Sequence, residues 1–91
     1  MLYLVCVLLT DEEHPGFFAA LEELGETIEI FCGCHLLHSR YTALGIRRRL
    51  AGHLSHEERL VVTRLRRGEC AGQLSDFARQ FLGRYIDGLV E

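Results

Sequence analysis

At 91 residues, 48% hydrophobic and 25% charged, with one proline and no low-complexity run, the chain reads as one folded domain and not as a disordered or multidomain polypeptide. That length buries a core without metal or disulfide staples, and a net charge of −3 argues against a domain that coats nucleic acid by bulk electrostatics. The charge is lopsided: the first 39 residues hold seven acidic groups and no cation, while all ten cationic side chains are arginines from Arg40 onward.

Leu2 to Leu9 is a short, nearly unbroken apolar run, which predicts a first strand covered on both faces. The segment opens "MLYLVCVLL" without a basic flank or a small-residue cleavage site, and nine apolar residues cannot span a bilayer; a cytoplasmic protein with no membrane partner is expected. Asp11, Glu12 and Glu13 then precede Pro15, and Phe17, Leu21 and Leu24 recur at helical spacing up to Gly25, which predicts an amphipathic helix with Gly25 as its stop. The acidic cluster itself reads as compensation of the helix dipole.

"TIEIF" and "CHLLH" predict a second and third strand joined at Cys32-Gly33, glycine supplying the positive φ that a tight turn needs. Ala43, Ile46, Leu50 and Leu54 define the apolar face of a second helix, with Ser39 or Thr42 to cap it and Arg47, Arg48 and Arg49 largely outside that face. "RLVVTRLRR" predicts a fourth strand, with Val61, Thr63 and Leu65 on one side and Val62, Arg64 and Arg66 on the other. Leu74, Phe77, Phe81, Tyr85 and Leu89 form the stripe of a third helix capped by Ser75.

The order β-α-β-β-α-β plus a helix predicts the α+β class. The expected architecture is a ferredoxin-like sandwich over residues 1–67, with a mainly helical C-terminal extension, 68–91, packed on the core or on a partner subunit. The uncovered face of such a sheet has to be buried, so a homodimer is expected.

"FCGCHLLHS", Phe31 to Ser39, poses a question of chemistry. Cys32, Cys34, His35 and His38 are metal-ligand types, yet their spacing is not that of paired zinc ligands, and on a strand Cys34 and His38 share one face while His35 takes the other. Their expected role is structural, with Cys6, Cys34 and Cys70 in the core or at an interface, the four cysteines reduced, and no cofactor bound. No serine elbow or phosphate loop supports catalysis.

"YLVCVLL", "FFAALEELGETIEIF" and "CHLLHSRYTALGIRRRLAGHLSHEERLVVTRL" together resemble the SinR-like and CRISPR-associated protein two families, small ferredoxin-fold dimers. The resemblance covers roughly residues 1 to 67 and implies two possible activities, and the same fold admits a third. Metal-dependent nuclease activity, the first, would need an aspartate at the end of the first strand, where this chain has Val7, Leu8 and Leu9, and magnesium demands oxygen ligands. Nucleic-acid association inside a larger complex, the second, would fall to Arg47, Arg48, Arg49, Arg64, Arg66 and Arg67; the competing account makes these the solvated backs of the helix and strand, paired with Glu57, Glu58 and Glu69. A sensor of small anionic ligands such as nucleotides, at the dimer interface, is the third. The expected protein is a noncatalytic homodimeric interaction or nucleic-acid-associated module.

Overall fold

The computed structural model describes residues 1–10, 14–67 and 72–85. Seven elements follow in order: β1 (Leu2–Leu8), α1 (Pro15–Leu24), β2 (Gly25–Phe31), β3 (Cys34–Ser39), α2 (Ala43–Ala51), β4 (Arg59–Leu65) and α3 (Asp76–Tyr85). The four strands form one antiparallel sheet in the order β2-β3-β1-β4. Each helical crossover therefore passes over one intervening strand: α1 carries the chain across β3, and α2 carries it across β1. The apolar run of β1 is explained by its central place between β3 and β4.

Local chemistry sets the ends of the elements. Pro15 stands in the first turn of α1, and the cap is His14, whose Nδ1 accepts from the Phe17 amide at 3.1 Å. The acidic cluster Asp11–Glu13 lies outside the described residues. Gly25 ends α1 and begins β2 without a loop; a Cβ there would sit 1.9 Å from the His38 carbonyl oxygen, so only glycine lets β2 close onto β3. Gly33 turns the hairpin at φ +78°, as the sequence predicts. Thr42 caps α2, its Oγ1 accepting from the Gly45 amide, while Ser39, the other possible cap, accepts from Tyr41 N instead. Ser75 Oγ accepts from Ala78 N at the start of α3.

The two faces of the sheet are buried differently. On the first, Tyr3, Val5 and Leu37 pack under Phe17 and Leu21 of α1 and Ile46 and Leu50 of α2, with Leu60 and Val62 at the margin. The Tyr3 hydroxyl donates to the Tyr41 carbonyl at 2.6 Å, which supplies the partner a buried phenol needs. On the second, Leu2 and Leu36 pack under Phe81 and Leu82 of α3, flanked by Leu4, Ile28, Leu65 and Tyr85. The α3 stripe is Ala78, Phe81, Leu82 and Tyr85; Phe77, expected in it, is 67% exposed. Residues four apart drift by about 40° per step on a helix of 3.6 residues per turn, so a run of such spacings leaves the buried stripe.

Candidate functional site

α2 presents three consecutive arginines, but consecutive residues are about 100° apart around a helix, so the three fan out over more than half its circumference. Ile46 and Leu50 face the core. Arg48 points directly away from them, and Arg47 and Arg49 fall on opposite flanks. Arg49 is engaged: its guanidinium lies 3.8 Å from the centre of the Tyr41 ring and donates to the Gly45 carbonyl. Arg47 lines a shallow cleft of about 420 Å³ with Ser55, His56, Glu58 and Arg59, between the end of α2 and the start of β4.

Arg64 lies on the edge strand β4 opposite Tyr3 of β1, on the same face of the sheet, with Arg66 and Arg67 just beyond the strand. The guanidinium groups of Arg47, Arg48, Arg64, Arg66 and Arg67 enter no salt bridge, hydrogen bond or ring contact among the described residues, and all five residues are exposed. The structure thus brings Arg47 and Arg64 to the β4 side of the molecule, leaves Arg48 on the outer face of α2 and diverts Arg49 to a local packing role.

Glu58 does not pair with these arginines. It is buried, and its two carboxylate oxygens accept from Ser55 N at 2.8 Å and Thr10 N at 3.1 Å, joining the α2–β4 turn to the end of β1. Those backbone hydrogen bonds hold its pKa below the ordinary 4.5. Sequence reading missed this role because Thr10 and Glu58 come together only when β1 and β4 pair. Glu69 lies outside the described residues.

The hairpin disperses its metal-ligand side chains. His35 is buried on the first face, its ring 5.7 Å from that of Phe18. Its Nε2 has no hydrogen-bond partner and stands 3.8 Å from Glu29 Oε2, at the wall of a half-open cleft of about 420 Å³ that Val7, Leu9 and Cys32 also line. Burial pushes the His35 pKa below its ordinary 6.5 against the opposing pull of Glu29, so the imidazole is neutral at physiological pH.

His38 faces the other way and stacks on Tyr85 of α3, ring centres 3.9 Å apart. Cys34 lies beside Cys6, and Cys32 is exposed in the turn. Among the described residues no group of three or more histidine, cysteine or acidic side chains is placed to hold a metal ion. The end of β1, where the nuclease reading wants an aspartate, contributes Val7, Leu8 and Leu9 to the His35 cleft wall.

α3 returns positive charge to the acidic margin. Arg84 bonds Glu26 of β2 at 2.9 Å, and the Tyr85 hydroxyl donates to the same carboxylate. Among the described residues no helix is long and apolar enough to cross a membrane. A scan against protein-family models finds no matching family, and searches of curated proteins and of solved structures find no significant match.

Proposed function

We propose that the chain is a noncatalytic ferredoxin-like module of the kind the SinR-like and CRISPR-associated protein two group uses, associating with nucleic acid through phosphate contacts from its β4 side. The strand order β2-β3-β1-β4, with both crossover helices on one face, supports the fold name. The observation that carries the function is the set of five exposed guanidiniums without a carboxylate partner among the described residues, Arg47, Arg48, Arg64, Arg66 and Arg67. Arginine suits phosphate because its planar fork donates two parallel hydrogen bonds. Tyr41, on the α2 side, already carries Arg49, and contacts to phosphate alone make the binding indifferent to sequence.

A cytoplasmic location and a homodimer belong to the same proposal. Free thiols at Cys6, Cys32 and Cys34 agree with a reducing compartment.

Fluorescence anisotropy with short labelled duplexes of unrelated sequence tests the reading. Comparable affinity for all of them, weakened roughly 10-fold or more by Arg47→Ala with Arg64→Ala, is the expected result. Equal binding by that double variant, or none by the wild-type chain at low salt, contradicts it. A second reading, capture of a small anionic ligand, rests on the cleft that joins Arg47, His56 and Arg59. It predicts a rise in Tm with one nucleotide or phosphorylated metabolite and no effect of duplex.

A further inference from the structure

We propose that Cys6 and Cys34 are a redox modification site, forming a reversible cross-strand disulfide on the half of the second sheet face that α3 leaves uncovered. The two residues are register partners on the central strands β1 and β3. Ser39 N donates to Met1 O at 2.9 Å and Val7 N donates to Gly33 O at 2.8 Å. Those bonds mark the 1/39 and 7/33 positions as hydrogen-bonded pairs. Alternation along an antiparallel ladder then makes 6/34 a non-hydrogen-bonded pair, in which Cα atoms approach to ~4.5 Å and side chains are closest. That spacing lies inside the range of about 4.4–6.8 Å that a disulfide bridges without moving the backbone.

The sulfur atoms are already 3.7 Å apart, as a thiol–thiol contact. Their surroundings admit a reagent. Cys6 has Val61 as its β4 neighbour and Cys34 has Phe31 as its β2 neighbour, and both of these apolar residues are more than half exposed. Phe81 and Leu82 of α3 pack instead at the Leu2–Leu36 end. Both thiols are half-buried, neither shut into the core nor fully in solvent. Burial first, and then the hydrogen bond with Cys6, raise the Cys34 pKa above its ordinary 9.0, so Cys34 rests as an uncharged thiol.

The oxidant is a small-molecule disulfide. One cysteine, as thiolate, attacks a sulfur of that disulfide, forming a mixed disulfide and expelling one small thiol. The thiolate of the second cysteine then attacks the protein sulfur, closing Cys6 to Cys34 and expelling the second small thiol. Two protein thiols lose two electrons and two protons in total, and one small disulfide becomes two thiols. The product staples the two central strands.

The experiment exposes the full-length chain to graded oxidised glutathione, blocks remaining thiols, and maps the products by mass spectrometry. The chain has no lysine and no arginine before Arg40, so trypsin leaves Cys6, Cys32 and Cys34 in one fragment; cleavage after glutamate separates Cys6 from the hairpin cysteines. The expected product is a monomer about two mass units lighter, with Cys6 linked to Cys34, Cys32 still open to alkylation, a Tm higher by roughly 10 °C, and full reversal by dithiothreitol. Cys32→Ser should keep the link and Cys34→Ala should abolish it. Linkage of Cys6 to Cys32 or Cys70, disulfide-linked dimers, or a Cys6 that stays alkylatable while Cys32 is oxidised would overturn the proposal. The wild-type map alone separates these outcomes, even if a variant fails to fold.

Discussion

The two edges of the sheet carry opposite charge, and the molecule treats them differently. At the β2 edge, Glu26 is met by Arg84 and Tyr85 of α3, so the acidic margin is locked to a packed helix. At the β4 edge, Arg64, with Arg47 and Arg48 on the neighbouring helix, has no counter-charge among the described residues. The lopsided sequence becomes a polarised molecule because the topology sends β2, from the acidic half, to one margin and β4, from the arginine half, to the other. A protein could neutralise both edges with the same short side chains. Among the described residues the Glu26 carboxylate is paired, while the guanidiniums of Arg47, Arg48 and Arg64 are not.

The largest expected effect on this contrast comes from breaking the structural margin. Gly25→Ala forces a methyl group into the His38 carbonyl, since its Cβ would lie 1.9 Å from that oxygen, and should cost ~4 kcal/mol by denaturant unfolding. Phe81→Ala, at a side chain 1% exposed under α3, should cost about 3 kcal/mol and release α3 from β2. Charge reversal at the other margin, Arg47→Glu with Arg64→Glu, should leave Tm within about 2 °C of wild type while reducing affinity for duplex by roughly 10-fold to 100-fold.

Acid should loosen the β2 margin before the β4 margin responds. Burial holds His38 below its ordinary 6.5, and the Tyr85 hydrogen bond, followed by the Arg84 charge, holds Glu26 below 4.5. Both groups bind fewer protons folded than unfolded. Their contributions are therefore complete above those ordinary values and are lost as pH falls through the folded ones. Tm should decline from about pH 7 to about pH 4, with α3 amides losing hydrogen-exchange protection first. A Tm that rises on acidification contradicts the assignment. The smallest effect belongs to Arg84→Ala, because the ion pair with Glu26 is about half exposed on both sides and screened by solvent; Tm should barely move.

Much of the fold is legible in local sequence, and the reason can be given residue by residue. Apolar alternation places β4, Pro15 and Gly25 bound α1, Gly33 marks the hairpin, and Thr42 and Ser75 stand ready as caps, because each of these signals acts over a few residues. His14 escapes notice as a cap because the acidic run beside it draws the dipole argument, while an imidazole nitrogen serves the same purpose. Helical spacing puts Phe77 in the buried stripe, yet it is exposed, since the placement of α3 on the sheet decides which of its neighbours are covered.

The sites are less legible than the fold. That Arg49 is consumed by Tyr41 while Arg64 is left free depends on tertiary neighbours, and three adjacent arginines look like one cluster until the helix separates them. The juxtaposition of Cys6 with Cys34, and of Glu58 with Thr10, depends on strand register, which no short window of sequence contains.

The most direct test of the unpaired β4 margin is the salt dependence of duplex binding by the wild-type chain. Up to five guanidinium contacts predict that log K falls linearly with log salt concentration, with a slope between about −2 and −4, shallower by one to two in the Arg47→Ala, Arg64→Ala variant. A slope near zero, or one that the double variant leaves unchanged, would show that these arginines do not meet phosphate.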